Sequence, residues 1–291
     1  SSIGFYASGM ADAGNYDVTF SKVGYYPQTI NIDLLTDVIT NLDVALVPIP
    51  PFNLTVTVLD AVTSNPIDAA NVRMRATLIA HEGVTNAIGE EQFSLFYEES
   101  YDVIVGKWGY ETTCYSQVID VSTGSITIML DAGIMDDFSF DFGWSATGTV
   151  STGLWERGIP LGNNSSTAPG LDVISDCGAF CYVTGNDTDL NPDAGDVDEG
   201  TTTLTSPIID LTGYTEPYVH YRRWFYNYWG PGLYDDTLRV LVSNGTSTVE
   251  IDKVGSEPLT FGEWNPISLK ISDYVSLTST IQFFFVTSDL E

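Results

Sequence analysis

Carboxylates are the residues best placed to do chemistry in this chain. Their densest group is "NDTDLNPDAGDVDEG", residues 186–200. Asp187, Asp189, Asp193, Asp196, Asp198 and Glu199 place six acids in thirteen residues with no base among them. Such crowding suits a hard cation such as Ca2+, which takes roughly six to eight oxygen ligands. An EF-hand is the first geometry to test. Asp187, Asp189 and Asn191 fall at its first, third and fifth positions and Asp198 at its twelfth. The sixth position needs a left-handed Gly, and here it is Pro192, whose ring holds φ near about −65°. The EF-hand geometry therefore fails. A cation held by several loops and a merely solvated loop remain open.

Nucleophile and general-base patterns are weaker. "HEGVT" at 81–85 has Val84 and Thr85 where zinc peptidase motifs need an acid or a second His, so His81 reads as a loop residue. His220 alternates within a strand and reads as packed or exposed. "GWSAT" at 143–147 ends in Thr147 rather than the Gly of a nucleophile elbow. With 39 Asp plus Glu, a carboxylate pair of the glycosidase kind is uninformative. No residue is assigned a catalytic role, and any catalytic domain would lie outside this chain. A ligand-binding reading attaches to "HYRRWFYNYWGPGLY", residues 220–234. Its strand part alternates as core plus a covered face. Tyr228, Trp229 and Tyr234 fall in the loop that follows, where rigid aromatic rings offer contact area. The competing reading is a loop tucked under its own rings.

These residues must be positioned by strands. Tyr, Thr, Val and Ser are plentiful, apolar residues are 43% of the 291, and Lys, Arg, Met and His are scarce. That composition buries a core and favours pleated sheets. Ten bases against 39 acids give a formal net charge of −29, which repels phosphate backbones and anionic membrane surfaces. No stretch has the apolar length of a membrane helix. No signal peptide opens the chain at Ser1; for a secreted protein it is expected to have been removed or to lie upstream. The three cysteines, Cys114, Cys177 and Cys181, form no disulfide scaffold or zinc framework. Cys177 and Cys181 are close enough in sequence to pair if the loop between them turns back, which would leave Cys114 over.

An internal repeat organises the first half. Tyr16, Asp17, Val18, Lys22, Gly24 and Tyr25 recur as Tyr101, Asp102, Val103, Lys107, Gly109 and Tyr110, and Gly4 and Gly89 keep the same offset. "YDVTFSKVGY" alternates at strand period, turns at Lys22–Gly24, and leads into "YPQTINIDL" and a third strand at "LDVALVP". The second copy has a front half, with strands at 55–59 and 70–76 about a turn at 64–66. The first copy lacks it, so residues 1–50 read as the back of a repeat whose front lies outside this chain. "VPIPPFN", residues 47–53, reads as a stiff hinge.

On "VTVLDAVTSNPIDAANVRM", Gly89 before a strand, and "YDVIVGKWGYE", this unit resembles the carboxypeptidase regulatory-like domain, a small transthyretin-like β-sandwich. The resemblance covers about 51–131 fully and 1–48 in part. It implies a non-catalytic spacer of secreted enzymes or adhesins. From Asp136 the sequence resembles a MAM-like jelly roll, on "GLWERG", "FCYVTGN", "TTLTSPIIDL", "YVHYRRWFY", "DDTLRVLVSNG", "EWNPISLKISDYV" and "IQFFFVTSD". That resemblance implies adhesion, scaffolding or ligand binding. It also implies a structural Ca2+ near the domain's ends, held by Asn186, Asp198 and Glu199, with Asp136, Asp137 and Asp289 as additions. The usual final strand of such a domain is missing after "TSDLE", so both termini are expected to cut through domains, leaving open sheet edges that invite self-association.

The expected fold class is all-β: tandem small transthyretin-like β-sandwiches followed by a larger jelly-roll β-sandwich. The expected domains are 1–49 (partial), 50–132 and 133–291. The expected function is a non-catalytic adhesive or structural module of a larger secreted or cell-surface protein, with a protein or glycan partner. The alternatives are the accessory tail of a secreted peptidase, a carbohydrate-binding module, and a subunit of an extracellular filament.

Overall fold

The structure is a computed structural model that describes residues 4, 7, 12–162, 167–186, 195–227, 236–255 and 262–289. It is all-β. One short 3-10 turn, Ile271–Asp273, is the only helical element among the described residues. The chain divides into two compact units, residues 1–103 with 115–129, and residues 104–114 with 130–291. The division runs through three of the strands described below.

In the first unit, β1 (Gly14–Phe20) and β2 (Gln28–Leu34) form an antiparallel hairpin with Tyr16 opposite Ile32 and Val18 opposite Ile30. Its exposed face is laced by polar cross-strand pairs, Asn31 to Asp17 at 2.6 Å and Thr19 with Thr29 at 2.8 Å. Next come β3 (Phe52–Asp60), β4 (Asn71–Arg75), β5 (Ala80–Val84), β6 (Glu90–Leu95), β7 (Glu99–Gly106), β8 (Thr113–Ile119) and β9 (Ser125–Leu130). They form two sheets, ordered β6-β3-β9 and β5-β4-β7-β8. Alternate residues are withdrawn from solvent: Leu54, Val56 and Val58 on β3, Val72 and Met74 on β4, and Tyr101 and Val103 on β7 are all 0% exposed. That period of two follows from the pleat, and β-branched residues fit it well.

The repeat read from sequence recurs in backbone geometry. Gly24 and Gly109 both adopt positive φ, 78° and 93°. The same turn hydrogen bond closes each copy, Tyr25 N–H to Lys22 O at 3.1 Å and Tyr110 N–H to Lys107 O at 2.9 Å. The expected third strand of the first copy, "LDVALVP", is not a strand; only an isolated bridge joins Tyr25 to Pro48. The cause is pairing. Its counterpart β9 hydrogen-bonds to β3, and the first copy holds no counterpart of β3 among the described residues. "HEGVT" also departs from expectation: His81 lies within β5, not in a loop.

The second unit contains β10 (Ser145–Gly148), β11 (Glu156–Gly158), β12 (Cys181–Val183), β13 (Gly200–Thr205), β14 (Tyr218–Arg223), β15 (Thr237–Ser243), β16 (Thr248–Val254), β17 (Asn265–Lys270) and β18 (Gln282–Asp289). A five-stranded sheet runs β10-β13-β18-β15-β16, and β14-β17 and β11-β12 form two-stranded sheets. Val240 and Val242 of β15 and Phe283 of β18 form a buried cluster with Ile209, Ile251, Ile271 and Ile281. Val219 of β14 and Leu269 of β17 pack against it, which makes a sandwich of the five-stranded and β14-β17 sheets. The disulfide joins Cys114 to Cys177, and Cys181 is a buried free thiol. Of the pairings the spacing left open, the short-range one is therefore not used. The backbone of Cys177 is held on both sides instead: its N–H donates to Asp137 Oδ2 at 3.1 Å and its carbonyl accepts from Ser139 Oγ.

Candidate functional site: an aromatic cavity in the second unit

A cavity of about 320 Å3 opens in the second unit. Four of its walls are indoles, from Trp144, Trp155, Trp224 and Trp264. β14 carries the chain out of the sandwich at Arg223, and the next residues, Trp224, Phe225 and Tyr226, run along the cavity. Trp224 and Trp264 meet edge to face, with ring centroids 5.9 Å apart at 75°. Each indole N–H is anchored to one backbone segment, Trp224 to Thr167 O and Trp264 to Leu171 O, both at 3.2 Å. The two rings thus make a corner fixed from behind. Trp144 donates to Asp136 Oδ2 at 2.8 Å and belongs to a ring cluster with Phe138, Tyr182 and Phe285. Trp155 differs. Its Nε1 is buried and has no hydrogen-bond partner among the described residues.

Polar groups stand between the rings. Tyr221 Oη and Arg223 Nε both donate to the same oxygen of Asp252, at 2.6 and 2.9 Å. Burial, then the hydrogen bond to Asp252, pushes the Tyr221 hydroxyl well above its ordinary range. Arg223 is therefore committed to Asp252, while Arg222 makes no ion pair among the described residues. Asn227, 6% exposed, donates Nδ2 to Gly255 O at 3.0 Å and ties the end of the aromatic run to the loop after β16. Asp196 and Asp236 also line the cavity.

The six carboxylate and amide positions expected to hold Ca2+ each have a place. Asn186 clamps a wall of the cavity: its Oδ1 accepts from Leu161 N–H and its Nδ2 donates to Ile159 O, both at 3.0 Å. Asp198 bridges to Thr152 and accepts from Thr152 Oγ1 at 3.0 Å. Glu199 adopts a left-handed φ of 54° just before β13, whose Gly200 is opposite Asp289 of β18. Asp136 accepts from Phe138 N–H and Trp144 Nε1, and burial pushes its pKa up to about 6. Asp137, 4% exposed, accepts from Ser139 and Cys177 N–H, and burial raises its pKa. Among the described residues, no three His, Cys, Asp or Glu side chains gather into a group able to hold a metal. Asp187, Asp189 and Asp193 lie outside the described residues, as do Tyr228, Trp229 and Tyr234.

Sequence reasoning found the aromatic run and put its contact surface at Tyr228, Trp229 and Tyr234, outside the described residues. Trp224 to Tyr226 line the cavity. The signal that could have found them is the end of strand alternation after Arg223. It could not have found Trp155 or Trp264, which no spacing links to the run. His220 stacks on Tyr218 on the exposed face of β14, with ring centroids 6.0 Å apart. His81 is packed near Phe93 and Tyr101, and its pKa is lowered by burial.

No family model and no curated protein matches the chain in sequence. Solved structures do match. A DUF3823 family protein from Bacteroides ovatus is 9% identical, with 83% of this chain and 100% of that one covered, at a TM-score of 0.25. A streptococcal ancillary pilin is 12% identical, with 66% of each chain covered, at a TM-score of 0.24. A Bacteroides uniformis protein assigned provisionally to carbohydrate binding is 8% identical, with 82% of this chain and 80% of that one covered, at a TM-score of 0.22. At such identities and scores these likenesses carry no argument about function.

Proposed function

We propose that this chain is a non-catalytic binding segment of a secreted or cell-surface protein, with the ligand taken by the second unit. The observation that carries the proposal is the cavity, in which aromatic walls fixed by hydrogen bonds alternate with a few polar groups. A concave, mostly apolar site with convergent polar groups is the usual form of a ligand pocket. The Cys114–Cys177 disulfide supports an oxidising, extracytoplasmic setting. The charge of −29 keeps such a segment soluble and opposes nucleic-acid partners. No helix among the described residues is long and apolar enough to cross a membrane.

The test is an overlay of labelled full chain on immobilised extracellular polymers, both glycans and proteins. Saturable retention on one of them is expected, with loss of retention in Ala168→Trp, which adds an indole to the cavity wall. Retention that survives Ala168→Trp with the fold intact would place binding elsewhere.

A further inference from the structure

We infer that the cavity recognises an uncharged aromatic group of two fused rings. This deepens the reading of the second unit as a binding segment and rests on it. Trp224 and Trp264 meet at 75° with centroids 5.9 Å apart, and Thr167 and Leu171 hold their indole N–H groups. Aromatic rings prefer offset-stacked or edge-to-face contacts at roughly 4.5–7 Å. A guest ring in that corner can stack on one indole and meet the other with its edge, which an aliphatic guest cannot do. An apolar cavity of about 150 Å3 holds one benzene ring. The space of about 320 Å3 here therefore takes a bicyclic guest.

The wall has few hydrogen-bonding groups left to offer a guest. The indole N–H groups of Trp144, Trp224 and Trp264 go to Asp136, Thr167 and Leu171. Asn186 holds Leu161 and Ile159 with its amide, and Asn227 donates to Gly255. Asp196 and Asp236 are engaged within the chain as well. The Trp155 N–H is buried and opens no donor to the space. A polyhydroxyl guest would leave its hydrogen bonds to water and recover few of them here, which is costly. Charge gives no preference of sign. Arg222 and Arg223 share the wall with Asp196 and Asp236, so an anion and a cation each meet repulsion as well as attraction. Arg223 is also tied to Asp252, and Arg222 is exposed, which keeps its charge in water. What remains for a guest is the faces of the rings, and an uncharged ring system needs nothing else.

The experiment titrates the full chain with indole by calorimetry, beside indole-3-acetate, tryptamine and cellobiose. It is repeated with a neutral peptide carrying one tryptophan. Saturable binding of indole is expected, with a rise in melting temperature. Neither charged analogue should bind more tightly, and the disaccharide should bind at least about tenfold more weakly. Binding of the peptide as well makes the guest a side chain of a partner protein, and binding of indole alone makes it a free molecule. Trp264→Leu should weaken indole binding by about three- to tenfold with the fold intact, in keeping with the loss of one ring contact. Ala168→Trp should abolish it. Preference for the disaccharide or a charged analogue over indole, lost in Ala168→Trp, overturns the aromatic assignment and leaves the binding reading standing. Indole binding untouched by both variants also overturns the assignment, since the site is then not this cavity. Failure of indole to bind overturns it too. If cavity-dependent retention on immobilised glycans and proteins fails as well, both readings fall.

Discussion

At the scale of single residues, Asp176 stands out among the described carboxylates. Burial, followed by the charges of Asp172 and Asp137, pushes its pKa up to about 7. Its Oδ1 and the Oδ2 of Asp172 are buried with no hydrogen-bond partner among the described residues. The folded chain therefore holds a proton that an unfolded carboxylate, near about 3.9, releases. The sign follows: this group's contribution to stability is complete below the ordinary carboxylate range and is lost as pH rises through about 7. The melting temperature of the second unit should fall between pH 5 and pH 8, and Asp176→Asn should flatten that fall and raise stability at pH 8. An unchanged slope in the variant would show that other groups set the pH dependence. Composition announced an excess of acids, and the acidic run drew the eye to 187–199. Desolvation, which makes Asp176 unusual, depends on which elements close over it and leaves no mark in a spacing pattern.

At the scale of elements, Gly89 is the sharpest constraint. Its φ is +74°, and a Cβ there would sit 2.6 Å from Val58 O, which is backbone and has little freedom to retreat. Gly89 also donates to Asn86 O at 2.8 Å and accepts from Val58 N–H at 2.7 Å. Gly89→Ala should destabilise the first unit by about 2 kcal/mol or more, read from denaturant unfolding, because the left-handed region and the clash act together. A loss under about 0.5 kcal/mol would mean that the turn relaxes freely. The first strand of each repeat copy's shared segment was legible because one face alternates: Tyr16, Val18 and Phe20 announce β1 as Tyr101, Val103 and Val105 announce β7. β16, Thr248–Val254, was not among the expected strands, and its pairing with β15 slips between Val240 and Leu241, which leaves Ile251 out of register between Glu250 and Asp252. It lies at a sheet edge, only Ile251 is deeply buried, and Asp252 lies between it and Lys253. That inward acid is paired with Arg223 and Tyr221 from β14, so a polar contact stands where the alternation would need an apolar one.

At the scale of the whole molecule, the all-β class was readable from composition and turn spacing, while the cavity was not. Trp155, Trp224 and Trp264 come from distant parts of the chain, and only the folding of β11, β14 and β17 brings their neighbourhoods together. The cysteines show the same limit. Proximity in sequence favoured Cys177 with Cys181, but Cys181 is packed away, with its thiol raised to about 12 by burial first and then by Asp172 and Asp176. The bond that exists closes a separation of 63 residues. By loop-closure entropy it should contribute about 4 kcal/mol, so Cys114→Ser should melt markedly lower. The same bond governs how the chain would behave under tension. Force entering at one end travels along the backbone to Cys114, crosses the sulfur bridge, and leaves from Cys177. The strands in between, including β9, β10 and β11, carry no load. In a single-molecule pulling measurement the oxidised chain should come to full extension roughly 200 Å short of the Cys114→Ser chain, at about 3.3–3.6 Å per shielded residue.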